Sequence, residues 1–485
     1  MRYWQDGISR RTLLACLGVS ALAAGVAAVF VRRFHAKAAP TNIAGCVPAA
    51  PKADPTKWKS IERQSVTPTQ FPLHPVEGRR YLMDAAGQPF LIVGDSPWSL
   101  LTQLTAEDAE LYLGDRQAKG FNTILVNLIE HKFADDAPRN VYGDGPFLKD
   151  GDFSTANDRY FDHAERVLRN ATQKGFLILL APAFAGAGGG DEGWYREMEK
   201  SGTDRLREYG RYVGRRLKNF NNIVWVEVGD YNPPDKTLSQ AVAEGIREVW
   251  PDSIHVAHNG PGTHGLGYWS ASEIPIAIDT LYTYGHVAEE AAPLATNRAM
   301  PYFLIESRYE NEQDGTPLRT RIQAWQAVLS GAAGQVFGNS PIWYFNAKVV
   351  DQQPMRWMTA LNSPGTLGMS YLRDFLFSLP WFTLQPDSDR RVLVGGALDG
   401  HFQAVAARST DGKFAIVYLP SPRPITIDMK QFAGEFVTAR WFDPADGQFL
   451  ISDIRRQAAS GRQEFNVPDC SRDGDWVLLL SAGPE

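Results

Sequence analysis

The chain has 485 residues, 44% hydrophobic and 21% charged, the composition of a folded globular protein too long for one small core. A formal net charge of −6 supplies no electrostatic footprint for nucleic acid and excludes it as an expected partner. With three cysteines and no Cys/His cluster at zinc spacing, no metal or other cofactor is expected, and a Cys46–Cys470 disulfide is permitted rather than required.

Residues 1–40 read as an address. Ser9-Arg10-Arg11 precedes an apolar run from Thr12 to Val31, which resembles a twin-arginine export signal. Cleavage near "AKA" at Ala36–Ala38 is the first expectation. The run is also about long enough to cross a bilayer, so retention as a membrane anchor is the second. Lipidation at Cys46, in "IAGC", is the third. All three place the protein outside the cytoplasm, in the periplasm or at the cell surface. Residues 41–67, rich in Pro, Ala and Lys, read as a linker.

A β/α rhythm then runs over residues 68–384. "PFLIVGDSPW" (Pro89–Trp98) predicts a buried strand and Thr105–Lys119 an amphipathic helix capped by Thr105. "FNTILVNLIE" (Phe121–Glu130) is the second strand, and Asn157–Lys174 a helix with Phe161, Ala164, Leu168 and Ala171 at helical spacing. Further strands follow at "GFLILLAPAF", "NIVWVEVGD", "SIHVAHNG", "IDTLYTYGH", "PYFLIESRYE" and "GQVFGNSPIWYF". The clearest helices between them are Asp204–Asn219, Thr237–Trp250 and Leu318–Gly331. Strands covered on both faces must be almost wholly apolar, as these are. Eight strands alternating with helices fit a (β/α)8 TIM barrel better than an open doubly wound sheet. From about Arg390 the pattern changes to short strands between Gly, Pro, Asp and Ser turns, with no helical period. Residues 388–485 therefore read as a small all-β sandwich.

In such barrels the chemistry sits where the strands end. The first strand delivers Asp95 and Trp98, the second Asn127 and His131, the fourth Asp230, Tyr231 and Asn232. The fifth delivers His258, the sixth Tyr284, the seventh Glu306 and Glu310, and the eighth Trp343. Carboxylates ending strands four and seven face each other across the mouth, the arrangement of many retaining glycosidases. The expected catalytic pair is Asp230 as general acid/base and Glu306 as nucleophile, with the other ten as substrate-binding candidates. Trp225, Tyr231 and Glu306 would raise the Asp230 pKa. Glu310 is the competing nucleophile. Glu227, three residues before Asp230 on a strand, should point the opposite way and pair with a cation. His255 and His258 should likewise face opposite sides and make a poor metal pair.

"GDSPW", "GDYNPP" and "ESRYE" after strands one, four and seven, with "WFDPADG" and "DWVLLL" in the terminal sandwich, resemble the apiosidase-like glycoside hydrolases. The resemblance runs from about Phe71 onward. It implies a barrel whose catalytic Asp and Glu fall on Asp230 and Glu306, and a companion domain named for collagen binding. It also implies a carbohydrate substrate, leaning towards branched plant-type sugars such as apiose. The chain departs from the family pattern at one point: a small residue is expected before "GD", where Val228 stands. Two other classes compete, an inactive carbohydrate-binding surface protein and a metal-dependent hydrolase. A pure binder has no need for both facing carboxylates, and the sequence lacks the His-x-His near strand one that the metal-dependent class would show.

Overall fold

The computed structural model describes residues 55–296, 300–350, 355–468 and 473–483. The leader and the Cys46–Cys470 pair lie outside them. Eight parallel strands form one sheet: β1 (Ile92–Asp95), β2 (Thr123–Asn127), β3 (Leu177–Ala181), β4 (Ile223–Val228), β5 (Ile254–His258), β6 (Asp279–Tyr282), β7 (Tyr302–Glu306) and β8 (Gly334–Phe337). The order β6-β7-β8-β1-β2-β3-β4-β5 follows the chain around a barrel. Its two ends meet through a single parallel bridge, His255 to Ile276.

Side chains alternate as the apolar runs require. Ile92, Leu125, Leu179, Val224, Val226, Val256, Phe303 and Val336 fill the barrel interior. Val93, Ile124, Val126, Ile178, Leu180, Ile223 and Trp225 face the helices. Those helices include α1 (Ala106–Ala118), α2 (Asp158–Gln173), α3 (Tyr195–Leu217), α4 (Thr237–Val249), α5 (Val287–Thr296), α6 (Pro317–Leu329) and α7 (Pro364–Phe377). Local sequence sets their starts: Thr105 accepts from the N–H of Asp108, and Thr316 caps α6 with Pro317 in its first turn. The helix expected at Asp204 begins earlier, because α3 continues through a break at Gly202, whose φ is 73°.

The C-terminal region is a two-sheet β structure. Antiparallel strands β9 (Leu384–Pro386), β11 (Val405–Ser409), β12 (Phe414–Leu419), β14 (Phe436–Asp443), β15 (Gln448–Ala458) and β17 (Trp476–Ala482) build the larger sheet. Strands β10 (Leu393–Gly395), β13 (Ile425–Asp428) and β16 (Arg462–Phe465) build the smaller. The seventh strand of the larger sheet is Trp58–Ser60, paired antiparallel with Leu450–Gln448. This corrects the linker reading for that segment. Trp58 stacks on Trp476, and Ile61 donates its N–H to the Gly447 carbonyl, so three residues cover an otherwise open edge.

The larger sheet is buried on both faces. Val417, Leu419, Leu478 and Leu480 face the smaller sheet. Ile416, Tyr418, Phe442 and Leu479 instead pack against the barrel helices. Trp325 of α6 stacks on Tyr418 at 5.7 Å, and Phe375 of α7 meets Phe442 at 4.8 Å. The barrel and the sandwich thus share one continuous core, which fixes the sandwich behind α6 and α7.

Candidate active site

A cavity of about 150 Å³ opens at the carboxyl end of the barrel, lined by Trp98, Asn127, Phe133, Phe184, Glu192, Asp230, Tyr284, Glu306, Tyr309, Glu312 and Trp343. Asp230 reaches it because β4 ends abruptly. Val228, Gly229 and Asp230 all have positive φ, 76°, 94° and 54°. Such values suit glycine and strain a β-branched residue. Gly229 is also sterically required: a Cβ there would lie 2.2 Å from the Phe184 ring. The three residues turn the chain so that the Asp230 carboxyl enters the mouth instead of joining the barrel wall. Pro233 and Pro234 follow.

Glu306 ends β7 and is held from two sides. Tyr284 donates its hydroxyl to Oε1 at 2.7 Å, and Tyr282 donates in turn to Tyr284 at 2.7 Å. His258 brings Nε2 to 3.1 Å from Oε2, although the ring N–H does not point straight at that oxygen. His258 itself is fully buried, stacked on Tyr282 at 4.9 Å and tilted against Trp98 at 5.5 Å.

Burial and then the charge of Glu306 push the Asp230 pKa up to about 7, against smaller opposing effects of His258 and Tyr282. The expected aromatic neighbours are not the cause. Trp225 faces outward, 6.2 Å from Trp250, and Tyr231 packs edge-on against Tyr195 at 5.1 Å. A carboxyl that keeps its proton near neutrality now stands beside a second one oriented by the Tyr284 hydrogen bond, in one cavity.

The other expected residues divide. Trp98, Asn127, Tyr284 and Trp343 line the cavity. His258 braces the pair from behind. Asn232 is exposed and ties loops together, accepting from Asn259 and the Gly260 N–H and donating to Thr263. Tyr231 stands beside the cavity, out of its lining. Three expectations are corrected. Asp95 is fully buried and occupied by Arg116 and Tyr112 beneath the mouth. Glu310 is 1% exposed and accepts from Ser363, Asn339 and the Gly365 N–H, so its oxygens are used in joining β7, β8 and α7. His131 turns to the Asp191 carbonyl and to Glu197 at 3.4 Å.

Glu227 does point outward, to a buried contact with His255 Nδ1 at 2.8 Å. Tyr309, within "ESRYE", is a strand-end residue that lines the cavity, whereas Phe133, Phe184, Glu192 and Glu312 were not legible as lining residues. These four sit on loops whose path depends on neighbouring loops, although Glu312 follows the "ESRYE" strand end closely. Among the described residues, no group of three or more His, Cys, Asp or Glu is placed to hold a metal ion.

Comparison with known proteins agrees with this fold. Residues 76–383 match the family described as "Apiosidase-like, catalytic domain". Residues 387–481 match "Putative collagen-binding domain of a collagenase". A solved structure titled "Glycoside hydrolase" superposes with a TM-score of 0.73 at 22% identity, covering 86% of this chain and 98% of its own. A glycoside hydrolase family 5 structure from Bacteroides vulgatus ATCC 8482 gives 0.72 at 21% identity, covering 84% and 93%. Both support the fold. No curated protein matches the chain. With a barrel matched over most of its length and two carboxyls meeting at its mouth, the chain belongs to the apiosidase-like family of glycoside hydrolases.

Proposed function

We propose that the protein cleaves a glycosidic bond of an oligo- or polysaccharide outside the cytoplasm by a retaining, two-carboxylate mechanism. One observation carries this reading: Asp230 and Glu306, from β4 and β7, share one cavity with opposite preparation. The raised Asp230 pKa suits an acid that protonates the leaving oxygen. The hydrogen bond from Tyr284 suits Glu306 to a defined line of attack.

In the first step Glu306 attacks the anomeric carbon, the bond to the leaving oxygen breaks, and the Asp230 proton passes to that oxygen. A covalent glycosyl ester on Glu306 results. In the second step Asp230, now ionised, takes a proton from water as the water oxygen attacks the same carbon. Glu306 leaves with its electron pair and both carboxyls return to their starting states. The side chains of Trp98, Trp343 and Phe184 offer apolar faces to the sugar ring. The leader of residues 1–40 supports export, which cell fractionation of the tagged full chain tests.

The mechanism is tested by following hydrolysis of a glycan panel and recording the initial anomeric configuration of the product by NMR. Retention is the expected result. Inversion would assign Glu306 the task of a base acting on water and remove the covalent step.

A further inference from the structure

The cavity is one-sided in its hydrogen-bonding character. Four carboxyl side chains line it, Glu192, Asp230, Glu306 and Glu312, and its lining residues include no Lys or Arg. Three of the donors present are already engaged. Trp98 Nε1 donates to Tyr309, Tyr284 to Glu306, and Trp343 Nε1 to Oε1 of Glu312 at 2.5 Å. Asn127 commits one of its two amide N–H groups to Glu130. A ligand here meets mostly acceptors, so donors on the ligand are favoured.

Glu312 is the group that sharpens this bias. It lies on the loop after β7 and is clamped by Trp343 from the loop after β8. Its Oε2 makes no hydrogen bond to any described residue. Burial and, more weakly, the charge of Glu306 push its pKa up to about 6, against the Trp343 N–H and the nearby Arg308 guanidinium, which leaves it mostly ionised at neutral pH.

We propose that Glu312 is a specificity-determining residue that receives the hydroxyl groups of a neutral sugar ring and turns away rings bearing a carboxylate, sulfate or phosphate. The inference rests on the reading of this cavity as the place where sugar binds. A hydroxyl donates to an ionised carboxylate in a short, charge-assisted bond. A uronate brings a further carboxylate to a lining that already carries four carboxyl side chains and no Lys or Arg.

The test is direct binding of matched free sugars, glucose against glucuronate and galactose against galacturonate, to the full chain at pH 7.5 by saturation-transfer NMR. At least one neutral member should bind, with its acidic partner at least about tenfold weaker. E312Q should narrow that gap to about threefold or less, and E312D, which keeps the charge, should preserve it. An acidic sugar binding as tightly as its neutral partner overturns the proposal. So does a gap unchanged in E312Q, or the absence of any neutral-sugar signal. Hydrolysis of neutral glycosides is measured separately. Binding preference without turnover would remove the hydrolase reading alone, and turnover favouring uronides would remove this one alone.

Discussion

The main-chain N–H of Asp230 donates to Nδ1 of His258 at 3.1 Å, so one buried ring fixes the position of the proposed acid. A ring nitrogen that accepts carries no proton, which places the proton of the neutral ring on Nε2, the side that faces Glu306. His258 therefore spans the ends of β4 and β7. The strained turn at Val228 to Asp230 can persist because this contact, together with the ladder to β5, over-determines it.

The raised Asp230 pKa predicts two pH effects. Activity that needs its proton should fall above about pH 7, approaching tenfold per unit. Stability should change as well. A carboxyl whose folded pKa is raised binds more protons folded than unfolded between pH 3.8 and about 7, so its contribution to stability is lost as pH rises through that window. The penalty above pH 7 is about 2–4 kcal/mol. Asp230→Asn should remove it, raising the midpoint of unfolding at pH 8 and converging on wild type near pH 4. It should also lower turnover by about 10²–10⁴-fold. Denaturation curves at several pH values check the sign. A variant less stable than wild type at pH 8 would contradict a buried, strained charge.

Tyr284→Phe isolates the hydrogen bond to Glu306. A bond to a charged acceptor contributes about 1.5–3 kcal/mol. If Glu306 depends on it for orientation, kcat should fall by about 10- to 100-fold. The ring, with the Arg308 guanidinium 4.5 Å above it, stays packed, so the thermal midpoint should fall by only a few degrees, for the lost bonds to Glu306 and from Tyr282. Unchanged kinetics would mean that the contact from His258 alone suffices.

Much of this was legible in the sequence for a physical reason. Strands such as "TILVN" and "YFLIE" are buried on both faces and must be apolar throughout, and a barrel exposes its chemistry only where those runs stop. Asp230 and Glu306 stand at such stops. Asp95 and Glu310 also do, yet buried partners from distant elements, Arg116 and Ser363, claim them. Strand-end position alone cannot separate a carboxylate that meets solvent from one that knots the rim. The strand at Trp58–Ser60 was illegible for a similar reason. Its pairing partner lies almost 400 residues away, and three residues carry no period.

The turn at the end of β4 makes a prediction on Val228, where the family pattern favours a small residue. Val228→Gly loses about 1.5–3 kcal/mol of side-chain burial and about 0.5–1 kcal/mol in chain entropy, and regains about 1–3 kcal/mol of backbone strain. The balance is a loss of about 1 kcal/mol. Val226→Gly, equally buried but with no positive φ to relieve, should cost roughly 3 kcal/mol or more. Equal losses in urea unfolding would show that Val228 stores no strain. Gly229→Ala should be worse than Val228→Gly in activity, because its Cβ would drive Phe184 into the cavity.

The shared core predicts how the two regions unfold. Arg321 of α6 is buried and donates to both oxygens of Asp475, which precedes β17, and to Asp473. Tyr418 of β12 donates to the same Asp475 carboxylate. Arg321→Met removes the guanidinium and leaves that carboxylate in a low-dielectric interface, a change that costs about 3–5 kcal/mol. Replacing both partners, Arg321→Met with Asp475→Leu, removes the buried charge along with its counter-ion, and most of the loss should return. Recovery should stop short of complete, since Tyr418 loses its acceptor and Asp473 its donor. Calorimetry of the four proteins checks this as a double-mutant cycle. One transition in wild type is expected, because α6, α7 and the larger sheet bury each other's apolar faces. If Arg321→Met instead splits the trace into two transitions, the ion pair is what couples the barrel to the sandwich. If the double variant is no better than the single, Asp475 matters through Tyr418 and not through its charge.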